Sequence, residues 1–176
     1  LTLGQVLLRL SPPNNDRLVR GDTFVKQVGG AELNVAVGVA LLGLRTGVIS
    51  KLPSHDMGSF MKGKIRSYGV SDDFFMYDDS PSARVGIYYY ENGAYPRKPK
   101  VIYDRANSSF YSLKIDEIPE KAYTASRCFH TSGITLALSP KVRETTIEMI
   151  KRFKAAGTLV SFDVNFRGNL WTGEEA

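Results

Sequence analysis

The feature that most constrains this chain is the order in which its hydrophobic periodicities follow one another. Short apolar runs alternate with longer helical ones near both ends, and the alternation fails once, in the middle. Thr2 to Leu10 is an apolar run closed by Pro12-Pro13-Asn14-Asn15, which predicts a strand and then a turn. Gly29-Gly30 precedes Glu32 to Leu42, a stretch of small apolar residues that predicts a helix buried on most sides and closed by Gly43. Thr46 to Leu52 predicts a second strand. Pro53-Ser54-His55-Asp56 leads into a helix through about Tyr68, with Met57, Phe60, Met61, Ile65 and Tyr68 at helical spacing and Gly69 as its stop. Arg127 to Gly133 predicts a strand. Ser139-Pro140 then starts a helix, with Ser139 as N-cap and Val142, Ile147, Ile150 and Phe153 toward the core. Gly157 ends it, and Thr158 to Phe166 predicts another strand. Strands alternating with helices imply an α/β fold around a parallel sheet.

The middle differs. Ala83 to Glu91 and Lys100 to Arg105 are aromatic and β-branched, separated by Asn92-Gly93 and a proline-containing loop through Pro99. No helical run lies between them. The pair is therefore expected to be antiparallel and to form a separate small sheet.

Composition narrows the function classes. The 176 residues are 43% hydrophobic and 23% charged, within the ordinary globular range. The net charge of +5 is spread out. Its densest run, Lys151-Arg152-Phe153-Lys154, falls on a helical pattern and reads as a solvated face, with no basic motif for nucleic acid. Anionic small molecules suit such a surface better. No run approaches ~18 apolar residues, so no membrane span is expected, and no signal peptide is visible. Cys128 is the single cysteine, which excludes an intrachain disulfide and favours a reducing, cytoplasmic setting. Its apolar surroundings predict a small buried hydrophobe.

In open parallel sheets ligands bind beyond the C-terminal ends of the strands. Three segments are expected there. Gly29-Gly30-Ala31 opens the first helix, where glycines permit close backbone approach and free N–H groups attract oxygen ligands, with Asn34 one turn in. A plain loop-to-helix transition with a capping amide fits the same residues. Thr131-Ser132-Gly133-Ile134 fits a ligand-lining turn and equally an ordinary strand exit. In Asp163-Val164-Asn165-Phe166-Arg167, alternation places Asp163, Asn165 and Arg167 on one side, either for a ligand carboxylate or for an Asp163–Arg167 salt bridge. The hairpin adds Tyr103 and Arg105 on one face, and Tyr88, Tyr89 and Tyr90 opposite them, which suits a hydroxylated anion or an interface. His55 and His130 show no metal-ligand spacing, and are expected at solvated turn and core positions. There is no Walker-type loop and no Gly-x-Ser-x-Gly elbow.

Taken together, several phrases resemble a known family. Gly29-Gly30-Ala31-Glu32-Leu33-Asn34-Val35-Ala36 is similar to the Gly-Gly-Ala-x-x-Asn-x-Ala element of ribokinase-like (PfkB) carbohydrate kinases, and Asp56-Met57-Gly58 to the Asp-x-x-Gly turn that follows it. Tyr103-Asp104-Arg105, the run Ser132 to Ser139, and Phe162 to Arg167 followed by Leu170-Trp171 resemble the narrower group of 2-keto-3-deoxygluconate kinases. The resemblance covers essentially the whole chain. It implies a Rossmann-type sheet with flanking helices and a small β-sheet lid, so that residues 1–176 form the N-terminal part of one kinase domain with a lid at about 11–28 and 83–110. It implies that Gly29, Gly30, Asn34, Tyr88, Tyr103, Arg105, Ile134 and Arg167 line a sugar-acid site, with Asp163 and Asn165 in support. It further implies ATP and Mg²⁺ as cofactors, a homodimer through the lid, and transfer of phosphate to the acid's primary hydroxyl. A fructokinase-like enzyme or a non-catalytic sugar-binding module remains open. Two departures stand out. Gln5 occupies a first-strand position that is often acidic in the family. The family's Gly-Ala-Gly-Asp motif, with its aspartate base, belongs to a C-terminal half outside these residues, as does most of the ATP site. No catalytic or metal-binding role therefore falls on any residue here.

Overall fold

A computed structural model describes residues 1–174. Strands β1 (Thr2–Leu3), β4 (Val48–Pro53), β5 (Phe75–Asp78), β8 (Cys128–Ser132) and β9 (Leu159–Asp163) form a five-stranded sheet in the order β5-β4-β1-β8-β9. Every pairing in it is parallel. A second, four-stranded sheet holds β2 (Leu7–Ser11), β3 (Val25–Gly29), β6 (Gly86–Glu91) and β7 (Lys100–Asp104) in the order β3-β2-β6-β7. There β6 and β7 are the expected antiparallel pair, with Tyr88 opposite Tyr103. The helices are α1 (Ala31–Leu41), α2 (Asp56–Ser67), α3 (Lys121–Thr124), α4 (Gly133–Ala137) and α5 (Pro140–Ala155).

Two apolar cores cover the two faces of the parallel sheet. Alternation in β4 turns Ile49 to one face and Val48 and Leu52 to the other. Ile49 joins Leu3, Phe110, Phe129, Met149 and Phe153, while Val48 and Leu52 join Leu33, Ala36, Met61 and Ile65. Phe129 and Phe153 are fully buried and stack at 4.1 Å. Burial of side chains of this size contributes roughly 1.5–3 kcal/mol each. α5 begins as its sequence dictates, with Pro140 in the first turn and the Ser139 hydroxyl accepting the Val142 N–H at 3.2 Å.

Five expectations are corrected. The run Thr2 to Leu10 is two strands in two sheets, joined through Gly4-Gln5-Val6. Apolar residues on both sides of the joint hide the change of sheet. α1 is not buried on most sides: Glu32, Leu33 and Ala36 are covered, while Leu41 and Leu42 are each 80% exposed. A uniformly apolar helix carries no pattern that says which face is covered. In α5, Ile147 is exposed and Met149 takes the core position. The predicted last strand ends early, at Asp163, because the Asp163 carboxylate accepts the Asn165 N–H and Asn165 adopts a left-handed φ of 37°. Cys128 is exposed rather than buried, as is Leu159, its register partner on β9. His55 sits in the turn before α2, where its ring accepts the Met57 N–H, and His130 is half-buried against Ser161. Among the described residues no helix is long and apolar enough to cross a membrane.

Candidate functional site

The strand order brings the exits of β1 and β8 and the start of α1 together. β1 continues directly through Gln5 into the second sheet, and β3 ends at Gly29 where α1 begins. The second sheet is thus tethered at the rim of the first. Gly30 has φ 154°, and a Cβ there would lie 2.7 Å from the Gln5 carbonyl oxygen, so only glycine fits without displacement. No side chain caps the start of α1. The alternative of a capping amide is therefore not found, and the first N–H groups keep their attraction for oxygen.

Tyr88, Tyr103 and Arg105 converge over this rim. A Cβ on Gly29 would come within 2.5 Å of the Tyr88 hydroxyl, so that phenol lies against the backbone at the helix entry. The Tyr88 and Tyr103 rings are 5.9 Å apart, and the Arg105 guanidinium carbon is 5.5 Å from the Tyr103 centroid. Tyr89 points to the opposite face and meets Phe24. Burial pushes the Tyr88 phenol up, so it is a neutral donor and acceptor.

Arg105 is held from behind. Its Nε donates to Gln5 Oε1 at 2.7 Å, and Gln5 Nε2 donates to Ser108 Oγ at 2.6 Å and to the Arg105 carbonyl at 3.2 Å. Burial lowers the guanidinium's affinity for its proton, opposed by Tyr111, Tyr103 and Glu32, and an arginine keeps its charge at any ordinary pH. Among the described residues no carboxylate lies within salt-bridge distance of it. Other cations have such partners: Lys51 with Glu117, Arg84 with Asp104, Arg97 with Glu91.

Glu32 was not singled out for the site by its sequence context. It is 2% exposed, and its Oε1 accepts from Ser132 Oγ and from Thr135 Oγ1 at 2.8 Å. Its other oxygen lies where a Cβ on Gly4 would have to go. One signal could have found it: Glu32 is the lone charged residue in an otherwise neutral Ala31 to Leu42. Its place in the first turn of α1 is also favourable for an anion.

The remaining candidates are placed as follows. Ile134 is half-buried in the first turn of α4. Gly133 before it accepts the chain leaving β9, since a Cβ there would meet the Val164 carbonyl at 2.2 Å and Trp171 at 3.2 Å. Asn34 is exposed one turn into α1, along a groove with Val28 and Val37. Because β9 stops at Asp163, the residues Asp163, Asn165 and Arg167 do not share one strand face, and Asp163 and Arg167 form no salt bridge among the described residues. Arg167 is exposed on the turn that Leu170 closes. Gly29, Gly30, Tyr88, Tyr103 and Arg105 therefore form one cluster around Gln5, while Arg167 lies on a separate turn. Such a cluster presents a fixed guanidinium, two phenols and a helix start that no side chain caps, which suits a carboxylate that also carries hydroxyls. The described residues contain no group of three His, Cys, Asp or Glu able to hold a metal ion.

A family model described as "pfkB family carbohydrate kinase" matches residues 1–175. The 2-dehydro-3-deoxygalactonokinase of Haloferax volcanii is 39% identical over 176 residues, covering 100% of this chain and 54% of that protein. The crystal structure of 2-dehydro-3-deoxygluconokinase from Thermotoga maritima superimposes with a TM-score of 0.93 at 39% identity, over 99% of this chain and 53% of that one. An uncharacterized sugar kinase from Pyrococcus horikoshii, in complex with ATP, superimposes with a TM-score of 0.83 at 27% identity, over 99% of this chain and 55% of that one. The chain thus spans about half the length of the relatives it matches.

Proposed function

The chain belongs to the pfkB family of carbohydrate kinases, and from that premise we propose that it supplies the acid-recognising half of an ATP-dependent sugar-acid kinase. The substrate is 2-keto-3-deoxygluconate, and the product is 2-keto-3-deoxy-6-phosphogluconate. The observation that carries this reading is Arg105, a half-buried guanidinium fixed by Gln5 beside two tyrosines, with no carboxylate of its own among the described residues. A neutral hexose has no group that answers such a charge. A sugar acid does.

In this reading the substrate carboxylate meets Arg105, and Tyr88 and Tyr103 bond its hydroxyls. Gly29 and Gly30 let it approach the α1 backbone, with Asn34, Ile134 and Arg167 completing the wall. The second sheet acts as a lid. The acid's primary hydroxyl attacks the γ-phosphorus of ATP, the bond from that phosphorus to the β,γ-bridging oxygen breaks to release ADP, and the hydroxyl proton passes to a base outside these residues. No group of three His, Cys, Asp or Glu able to hold a metal ion stands among the described residues, and no step here is routed through Mg²⁺. The lid's Val25, Val101, Ile102 and Tyr103 are 40–50% exposed, which supports a homodimer through this sheet. We place the enzyme in the cytoplasm, a setting compatible with the free thiol of Cys128.

The test is a coupled kinase assay, with ATP and Mg²⁺, on the protein at the full length its gene encodes. 2-Keto-3-deoxygluconate should be phosphorylated far faster than D-fructose, and Arg105→Ala should abolish that preference. Equal use of fructose and the acid would favour a fructokinase instead.

A further inference from the structure

One rung of side chains crosses all the strands of the second sheet. Arg9 on β2 is the register partner of Gln27 on β3 and of Tyr88 on β6, and Tyr88 is the partner of Tyr103 on β7. Register partners point to the same face of a sheet. Arg9 therefore lies on the face that carries Tyr88, Tyr103 and Arg105. Nothing in the run Leu7 to Ser11 marks it, since its neighbours in the chain are apolar and its partners lie on other strands.

Arg9 is half-buried and fixed from two sides. Its Nε donates to Ser11 Oγ at 2.9 Å, and the guanidinium carbon stands 4.3 Å from the centroid of the Tyr90 ring. Among the described residues no carboxylate lies within salt-bridge distance of it. What it meets is the Tyr88 phenol: burial pushes that phenol up, and the charge of Arg9 and a hydrogen bond from it hold it back. A guanidinium has only donors to offer. Toward Arg9 the Tyr88 oxygen is therefore the acceptor, and its own hydrogen must turn elsewhere. The same hydroxyl lies against Gly29 at the opening of α1, within the cluster that presents Arg105. It donates to no protein acceptor among the described residues, so its hydrogen is left for a ligand.

We infer that Arg9 is a positioning residue for the sugar acid: held by Ser11 and Tyr90, it occupies the acceptor side of the Tyr88 phenol and leaves Tyr88 to meet the substrate as a hydrogen-bond donor. The inference rests on the reading of this cluster as a sugar-acid site. A carboxylate or keto oxygen has no hydrogen of its own and needs such a donor. Arg9 acts through Tyr88 and does not itself touch the substrate.

A double-mutant cycle, read by steady-state kinetics on the protein at full encoded length, tests this. Arg9→Met removes the charge and the donors while keeping a long side chain. It should raise KM for 2-keto-3-deoxygluconate about fivefold, with KM for ATP changed less than about twofold. On a Tyr88→Phe background, which already lacks the hydroxyl, the same change should add less than about 1.5-fold. Arg9→Lys, a cation that only donates, should recover part of the loss. If Arg9→Met does not fold, Ser11→Ala takes its place in the cycle: it frees Nε, leaves the charge, and should raise the same KM about twofold. An unchanged KM for the acid, or a rise of the same size on the Tyr88→Phe background, would overturn the role of Arg9 while leaving the kinase reading intact. An unaltered protein that phosphorylates a neutral hexose and no sugar acid would overturn both.

Discussion

Ser132 Oγ donates a hydrogen bond of 2.5 Å to the buried carboxylate of Glu32, joining the end of β8 to the first turn of α1 across 100 residues of sequence. Thr135 adds a second donor to the same oxygen, and Gly4 leaves room for the other. Three segments at the strand exits are thereby locked together. Glu32→Ala would leave two buried hydroxyls without an acceptor and a void beside Gly4, at a cost of about 2–4 kcal/mol. Glu32→Gln keeps an accepting oxygen and should lose less than half of that. Urea unfolding monitored by circular dichroism measures both, and equal losses would contradict this account.

Gly29 and Gly30 should respond differently to alanine, although they are neighbours. At Gly30 the added Cβ meets backbone, the Gln5 carbonyl, in a conformation that side chains rarely adopt. Gly30→Ala should destabilise by about 2 kcal/mol or more. At Gly29 it meets only the tip of Tyr88, which can swing away. Gly29→Ala should keep most of its stability and weaken sugar-acid binding instead, as read by calorimetry beside a melting curve.

Acid should loosen the second sheet. The Leu18 N–H, and then Arg97 and Arg17, hold the Glu91 carboxyl below the usual carboxylate range. A group whose pKa is depressed on folding stabilises above its unfolded pKa, and that contribution is lost as pH falls through the folded value. Stability should therefore drop on the acid side, below the ordinary glutamate pKa. Glu91→Gln should be less stable near neutrality and show a shallower loss in acid. Melting temperature against pH measures this, and parallel profiles would contradict it.

Residues 1–176 expressed by themselves should self-associate. Leu159 is 69% exposed and Phe162 45% on the edge strand β9, and Val164 and Phe166 beyond it are also exposed. An unpaired apolar strand edge recruits other chains. Leu159→Lys with Phe162→Asp should shift sedimentation toward monomer. A monodisperse, unaltered monomer at high concentration would refute this.

What the sequence revealed, and what it hid, has physical causes. The hairpin of β6 and β7 was legible because nothing helical fits between Glu91 and Lys100. The start of α5 was legible because Ser139 and Pro140 each do locally what a helix start requires. The change of sheet at Gly4-Gln5 was not, since the residues on either side are apolar for different partners. The early stop of β9 depends on one Asn165–Asp163 hydrogen bond that alternation does not register. That Tyr103 and Arg105 share a side was legible from strand phase, whereas which tyrosine of β6 faces Tyr103 depends on the pairing register, and it is Tyr88. The hold of Gln5 on Arg105 was not legible, because it spans 100 residues and two sheets.

The most direct measurement compares the unaltered protein, at the full length its gene encodes, with Arg105→Ala. Each is assayed for ATP-dependent phosphorylation of 2-keto-3-deoxygluconate, its galacto epimer and D-fructose. The account predicts turnover of at least one sugar acid by the unaltered protein, at a kcat/KM at least 100-fold above that for fructose, and loss of that preference in the variant through a raised KM for the acid. Retention of full preference for the acid by Arg105→Ala would contradict it.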